Sequence, residues 1–563
     1  MSMKIKNGKR LLNLFLIWFI VAFIIYPNLN LLKTTFFING ELSLNSLSKL
    51  LSSKIALKSL MNSFILAVSL SLTVNIVGIF IVLVTEFYNV KGAKILKLGY
   101  FTTLIYSGII VASGYKFIYG ENSFITHGLQ TLIPSISSNW FEGYGAVLFT
   151  MTFACTTNHL IFLTNSIRNV DYQIIEAAKN MGASEKTVLF KILLPTLKPV
   201  LYALTILTFL TGLSAVSAPL ILGGKGFQTI NPMIIMFSKT QYSRDIATLL
   251  SLILGGATIL LVVFMNKIER GKNFISVSKS KTRLKKQNIE NKTINISIHL
   301  ISYLLFLIYI FPIFMVILFS LTEGHAVVSG KISIATFTLE NYGKLFTQMA
   351  SFKPYLVSLI YSGLAAIGVV VYSLIIAKLI HKKNDKLAKF YEYSSLIPWL
   401  LPATLIALGM MITYDSPRPI LLGQVLIGSP IIMVLAYIIV KIPFSFRMLR
   451  AAFFSIDDSL EEAAKTMGAS TFYTFRKVIF PILLPSAMAI GAIVFNSLLT
   501  DYDLSVFLYH PLLEPLGIVI MKSTDVEADL NAKAMIYVYS VTLMVISGII
   551  VYYTYGREKK APR

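Results

Sequence analysis

The chain has 563 residues, of which 55% are hydrophobic and only 13% are charged. Soluble globular domains carry about 25% charged residues, so the composition excludes an ordinary soluble domain and indicates a polytopic membrane protein. The formal net charge of +24 does not indicate nucleic-acid binding, because cytoplasmic loops of membrane proteins collect Lys and Arg and no soluble basic domain accompanies them.

Twelve segments are long and apolar enough to cross a membrane, for which about 20 residues are needed. In chain order they lie near 11–32, 60–84, 96–118, 144–167, 192–222, 244–265, 297–320, 354–380, 391–413, 424–446, 480–500 and 533–554. The first is too long for a signal-peptide core and no small-residue cleavage site follows it, so we expect it to stay attached. Pro398 and Pro402 interrupt the ninth. The sequence predicts an all-α membrane protein of about twelve transmembrane helices.

A polar, basic stretch without apolar periodicity separates the first six segments from the last six. It covers residues 267–296 and is typical of a cytoplasmic linker. We therefore predict a six-span half over 1–266 and a second six-span half over 297–563.

The distribution of Lys and Arg predicts the orientation. The basic residues before the first span are Lys4, Lys6, Lys9 and Arg10. They place the N-terminus in the cytoplasm, and an even number of spans places the linker and the basic tail 557–563 there too. The acidic stretch 523–530 then falls outside. Three lysines on outer loops are exceptions: Lys225, Lys239 and Lys331.

One short motif occurs twice. EAAKNMGAS covers residues 176–184 and EAAKTMGAS covers 462–470, so the copies are 462 − 176 = 286 residues apart and agree at eight of nine positions. The span count places both copies in the cytoplasm, between the fourth and fifth spans of each half. This is the pattern of a parallel repeat.

Each copy predicts a short amphipathic helix, a turn and a second helix that enters the membrane. The apolar positions at helical spacing are Val170, Ile174, Ala177, Ala178 and Met181, repeated as Ile456, Leu460, Ala463, Ala464 and Met467, and we expect each set to share one face. The expected helix starts are Asp171 and Asp457, the stops are Gly182 and Gly468, and the caps of the second helices are Ser184 and Ser470. An interfacial helix lying on lipid would also be amphipathic. It would not explain small residues and a glycine recurring in register, which favour a docking surface.

The motif resembles the EAA loop of binding-protein-dependent ABC importer permeases. The first copy matches with Glu176, Ala177, Ala178, Gly182, Ile192, Leu194 and Pro195. The second matches with Glu462, Ala463, Ala464, Gly468 and Pro481, with Val478 and Phe480 at the two other apolar positions. We name the segments EAA loop 1 (170–195) and EAA loop 2 (456–481).

The resemblance implies a type I importer subunit in the bacterial cytoplasmic membrane, with both termini in the cytoplasm. Each EAA loop would be a coupling helix seated on one subunit of a homodimeric ATPase, which would hold ATP and Mg, so no cofactor is expected in this chain. The implied docking residues also include Met181, Ala183, Met467 and Ala469. An extracytoplasmic binding protein would deliver the solute. The fused length resembles the ferric-iron type, with importers of thiamine, aminoethylphosphonate, polyamine or another small solute as alternatives.

The chain lacks the motifs of an enzyme. GxxxxGK[ST], HExxH and GxSxG are absent, so ATP hydrolysis must come from a partner. A secondary transporter with six-plus-six spans is the more distant alternative. It would need no cytoplasmic partner, and the paired EAA motifs argue against it.

Polar residues within or beside spans are the candidates for the solute path. Asn158 and His159 lie in the fourth span, where hydrogen bonds to neighbouring helices are the alternative role. Asp501 and Asp503 follow the eleventh span. An offset of 286 gives Ala215 and Ser217 in the first half, so the two halves differ there. The carboxylates favour a metal or a cationic solute, unless they are a solvated pair at a helix end.

Overall fold

The computed structural model describes residues 2–38, 40–104, 108–121, 123–270, 285–329, 333–381, 383, 385–524 and 529–553. Residues 271–284 of the predicted linker, Lys331, residues 525–528 of the acidic stretch and the basic tail lie outside the described residues. Within the described part, two short strands, Phe37–Ile38 and Glu41–Leu42, pair antiparallel. The other regular elements are helices, which confirms the all-α fold class.

Ten described helices are long and apolar enough to cross a membrane, and two bent helix pairs bring the number to twelve if each pair is one span. The first six spans are Arg10–Phe36, Lys54–Phe87, Ala93–Thr103 with Gly108–Tyr119, Tyr144–Arg168, Glu185–Leu213 and Arg244–Phe264. The last six are Lys292–Ser320, Met349–Ile380, Lys386–Trp399 with Ala403–Thr413, Pro430–Phe454, Thr471–Leu498 and Ala532–Ile550. The predicted number of about twelve is reached when each bent pair counts as one span, and the ends differ from the prediction by several residues.

Shorter helices connect the spans. They are Asn45–Ser52, Phe124–Leu132, Tyr172–Asn180, Ser217–Leu222, Ile230–Ser238, Gly324–Ser329, Glu340–Thr347, Asp458–Thr466, Ser505–Leu508 and Leu516–Ser523, with 3-10 turns at Ile334–Thr336 and Pro419–Leu421. Tyr172–Asn180 and Asp458–Thr466 are the first helices of the two EAA loops.

The fifth span ends earlier than predicted, at Leu213 rather than near 222. Pro219 has no N–H to bond the carbonyl of Ala215, the residue four positions before it. That carbonyl instead accepts a hydrogen bond from the Thr229 hydroxyl at 3.2 Å. The apolar run predicted as one span is therefore a span followed by the separate helix Ser217–Leu222.

The ninth span is bent where the sequence predicts an interruption. Its two helices, Lys386–Trp399 and Ala403–Thr413, meet at 105° across residues 400–402, which include Pro402, and Pro398 lies in the last turn of the first helix. The two helices of the third span also meet at 105°. The sequence did not predict this second bend, because no proline marks it.

The first span of each half packs against the other half. In the first span, Asn30 donates from Nδ2 to the Thr413 hydroxyl at 3.0 Å, a contact between residues 383 positions apart. In the seventh span, the carbonyl of Ser302 accepts a hydrogen bond from the Tyr100 hydroxyl at 2.8 Å. The two halves are therefore interlocked, because each contributes a helix to the packing of the other.

The internal repeat extends to the hydrogen bonds that fix the short outer helices. The Ser63 hydroxyl accepts from the backbone N–H of Ile230 at 2.8 Å, and the Ser358 hydroxyl accepts from Leu516 at 2.8 Å. Ile230 and Leu516 are separated by 516 − 230 = 286 residues, the spacing of the two EAA motifs. Each second span of a half thus anchors its half's short helix in the same way.

Candidate functional site

The first helices of the two EAA loops begin with the same cap. The Asp171 carboxylate accepts from the backbone N–H of Gln173 at 3.1 Å, and Asp457 accepts from Ser459 at 2.9 Å. Hydrogen bonds from the backbone and side chain of Ser459 lower the pKa of Asp457. The predicted helix starts are confirmed, and both carboxylates lie at the positive end of a helix dipole.

The same two helices end in Schellman motifs. In EAA loop 1 the N–H of Ala183 donates to the carbonyl of Ala178 at 3.0 Å, and the N–H of Gly182 donates to Lys179 at 2.9 Å. The φ angles of Gly182 and Gly468 are +83° and +79°, and the bonds of EAA loop 2 have the same lengths. A Cβ on Gly182 would meet nothing within 4 Å, so the left-handed backbone alone requires glycine here.

A second cap follows each glycine. Ser184 accepts from the N–H of Thr187 at 3.3 Å, and Ser470 accepts from the N–H of Tyr473 at 3.3 Å. Both predicted caps are confirmed. They turn the chain into the fifth and eleventh spans, so each EAA loop is a helix–turn–helix element that leads into the start of a span.

Each EAA loop presents an apolar stripe to solvent. The exposed apolar residues are Ile174, Ala177 and Met181 in EAA loop 1 and Leu460, Ala463 and Met467 in EAA loop 2. Met181 is 82% exposed and Met467 is 81% exposed. Glu176 and Glu462 are exposed beside these stripes. Two uncovered apolar surfaces of matched shape are what a partner with two equivalent binding sites needs.

The prediction that all five apolar positions of each EAA loop share one face is wrong. Ala178 and Ala464 are buried, at 6% and 4% exposure, while Ala177 and Ala463 are exposed. Val170 is buried too, at 6%. The buried residues pack the helix onto its own half, and only the remaining apolar residues are available to a partner.

The described end of the linker contacts EAA loop 1. The Lys285 ammonium lies 5.5 Å from the centre of the Tyr172 ring, and the Glu185 carboxylate accepts from the backbone N–H of Glu290 at 3.0 Å. The linker end and EAA loop 1 therefore lie on the same side of the molecule, as the predicted threading requires.

His159 lies in a hydrogen-bonded helix interface. It is fully buried, and its Nε2 atom lies 3.1 Å from Oδ1 of Asn75. Asn75 in turn donates to the Thr205 hydroxyl at 2.9 Å. These contacts join the second, fourth and fifth spans and favour the structural alternative for His159. Asn158 is partly buried next to it.

Asp501 is held in the turn at the end of the eleventh span, and both Asp501 and Asp503 are partly buried. The Asp501 carboxylate accepts from the backbone N–H groups of Leu504 and Ser505 at 3.2 Å and from the Ser505 hydroxyl at 3.1 Å. The Ser505 hydroxyl lies 2.8 Å from the hydroxyl of the buried Tyr437. Asp501 therefore fixes the turn that leads from the eleventh span into the next short helix.

Lys441, which the sequence analysis missed, is an electrostatic partner of both carboxylates. It lies in the middle of the tenth span and interacts electrostatically with Asp501 and Asp503, at a longer range than a direct ion pair. A lysine inside the apolar stretch YIIVKIPF is itself a signal for a functional residue. Its equivalent in the first half is Cys155, since 441 − 286 = 155. The charged cluster thus belongs to the second half alone.

Among the described residues, no group of three or more His, Cys, Asp or Glu side chains is placed to hold a metal ion. The charged cluster has only two carboxylates, and a lysine opposes them. It therefore gives no specific support to the metal or cationic solute that the carboxylates alone would favour.

A tandem pair of membrane-spanning halves, each with an exposed EAA element that leads into the start of a span, defines a membrane transport permease. The model of the family "Binding-protein-dependent transport system inner membrane component" matches residues 50–270 and 368–557. The chain belongs to this family, and the two matches identify it as a fused, tandem ABC importer permease.

Two relatives and one solved structure are similar to this chain. A probable ABC transporter permease protein, y4fN, of Sinorhizobium fredii is 34% identical over 532 residues, which are 94% of this chain and 93% of that protein. A putative ferric transport system permease protein, FbpB 1, of Haemophilus influenzae is 23% identical over 500 residues, 88% of this chain and 77% of that protein. The crystal structure of a bacterial ABC transporter involved in alginate import aligns with 47% of this chain and 96% of its own at 17% identity and a TM-score of 0.37.

Proposed function

We propose that the two EAA loops are the docking sites for a separate ATPase dimer that drives solute import through this permease. The main support for this proposal is the matched pair of exposed apolar stripes. Each stripe lies on a helix with the same cap, and no described part of the chain covers it. The ATPase subunits would bind ATP and Mg. A closing ATPase dimer would pull the two elements together and open the path to the outer face.

The remaining parts of the proposal follow from this arrangement. The EAA loops, the linker and both termini lie in the cytoplasm of a bacterial cell, and an extracytoplasmic binding protein delivers the solute to the opposite face. The halves are 1–266 and 297–563, joined by the linker 267–296. Ferric iron is the proposed solute, supported by the ferric transport permeases among the relatives. Thiamine, aminoethylphosphonate and polyamines are the alternatives.

Purification of the permease from its native cell tests the docking proposal. We expect an ATPase subunit to co-purify in a ratio of two per chain. Gly182→Pro or Glu462→Arg should abolish transport and weaken ATPase retention, while the chain stays in the membrane. Complete transport by the isolated chain, without any ATPase, would instead identify a secondary transporter.

A further inference from the structure

A cavity of about 880 Å³ lies between the two halves. The first half contributes residues of the second span, including Asn62, and the turn around Gly224. The second half contributes Tyr502, Tyr509 and the short helix Leu516–Ser523. Under the predicted threading these segments meet at the outer face of the membrane. We call this cavity the outer vestibule.

Four lysines from separate elements line the outer vestibule. They are Lys58, Lys225, Lys239 and Lys522, and all four are exposed. None of the described lining residues is an aspartate or a glutamate. Lys225 and Lys239 are two of the three exceptions to the charge bias of the loops. These exceptions therefore lie in one cavity together with Lys58 and Lys522. Lysines placed by chance on unrelated loops would not be expected to converge in this way.

The positive charge of the outer vestibule is only partly balanced. Lys522 pairs with Glu514 at 2.5 Å and lies 5.6 Å from the centre of the Tyr509 ring. Within the described part of the chain, no ion pair engages the other three lysines. Glu142 is exposed, and its carboxylate lies against Gly224, a residue that lines the cavity, so it offsets part of the positive charge there.

We propose that the outer vestibule admits a solute of net negative charge, one that presents carboxylate, phosphate or phosphonate oxygens. The proposal rests on the importer function above and narrows its substrate class. A cleft lined by charge of one sign concentrates the oppositely charged solute about 10–1,000-fold. Iron would therefore enter as an anionic chelate and not as the bare cation. The carboxylates of Asp501 and Asp503 do not contradict this, because Asp501 caps a turn and Lys441 partly balances both charges.

Cys155 is the only cysteine of the chain, so once it is replaced a single introduced thiol can report the electrostatic potential of the outer vestibule. In a Cys155→Ala chain, Met236→Cys places a thiol on the vestibule wall, where Met236 is 42% exposed. The permease in its native membrane is reacted in turn with an anionic sulfonate and a cationic trimethylammonium methanethiosulfonate. The reference thiol is Leu132→Cys, at a position that is 80% exposed outside the cavity.

We expect the ratio of anionic to cationic reaction rates to be at least about tenfold higher at position 236 than at position 132, and to fall as salt is added. The triple variant Lys58→Gln, Lys225→Gln, Lys239→Gln should bring the two ratios to within about twofold of each other. Lys353→Gln is the matched control. Lys353 precedes Ser358 by five residues, as Lys58 precedes Ser63, but it does not line the cavity. It should leave the ratio unchanged.

Equal ratios at the two thiols in the unaltered lysine background would overturn the proposal, and so would a high ratio that survives the triple variant. Mass spectrometry of the solute carried by the partner binding protein is the second measurement: an anion supports the proposal and a net cation overturns it. Failure to co-purify an ATPase would defeat the docking proposal without changing the ratio, so the two failures are distinguishable.

Discussion

Gly78 lies directly against the imidazole ring of His159. A Cβ atom built on Gly78 would come within 2.5 Å of Cγ of His159, closer than carbon atoms can approach. The second and fourth spans therefore pack at this point only because residue 78 has no side chain. This contact, together with the bond from His159 to Asn75, makes His159 part of a helix interface.

Gly78→Ala should destabilise the permease. The imidazole ring must shift out of a packed interface, and overpacking of this kind costs about 1–3 kcal/mol. The thermal midpoint in detergent should fall. Gly256→Ala is the control, because Gly256 is also within a helix and a Cβ there would meet nothing within 4 Å. An unchanged midpoint for Gly78→Ala would show that the ring moves freely, which would reopen a solute-binding role for His159.

Ala177 and Ala178 are adjacent but should respond differently to the same substitution. Ala178→Leu enlarges a buried residue and should lower the stability of the permease alone by about 1–3 kcal/mol. Ala177→Leu enlarges an exposed residue, so it should leave the isolated permease unchanged and weaken retention of the ATPase. The measurements are the thermal midpoint of the chain and the amount of ATPase that co-purifies. If Ala177→Leu retains the ATPase fully while Ala178→Leu releases it without loss of stability, the assignment of the two faces is reversed.

Lys441→Met should reduce both uptake and stability, because it leaves Asp501 and Asp503 as a pair of like charges without a cation. Asp503→Asn added to Lys441→Met should restore part of the stability, since it removes one of the two charges. The double change Asp501→Ala with Asp503→Ala then separates structure from transport. If it leaves the uptake kinetics unchanged, the carboxylates do not touch the solute. An absence of any rescue by Asp503→Asn would mean that Lys441 does not compensate these groups.

The helix caps and glycine turns of the EAA loops could be predicted from the sequence, because each of these residues bonds or bends the backbone near its own position. Asp171, Gly182 and Ser184 were assigned correctly because caps and glycine turns depend on neighbours within five residues. The division between Ala177 and Ala178 could not be predicted, because it depends on how the whole helix rotates against its half.

The non-local features were missed for the same reason. Lys441 could have been found from its position inside an apolar span, but its relation to Asp501 requires the packing of two distant spans. The bend of the third span has no proline to mark it. The packing of each first span against the other half could not be predicted from hydrophobic periodicity, because a first span is equally apolar whether it packs against its own half or the other one.

Cross-linking from the tips of the two EAA loops tests the central claim most directly. In the Cys155→Ala chain, Met181→Cys and Met467→Cys would carry a short photoactivatable cross-linker in the native membrane. The account predicts that each position, alone, forms a covalent product with the ATPase subunit, and that the two together capture two subunits per permease. If either position reacts only with lipid, or stays open to a soluble thiol reagent in the assembled importer, that EAA loop is not a docking site and the account is wrong.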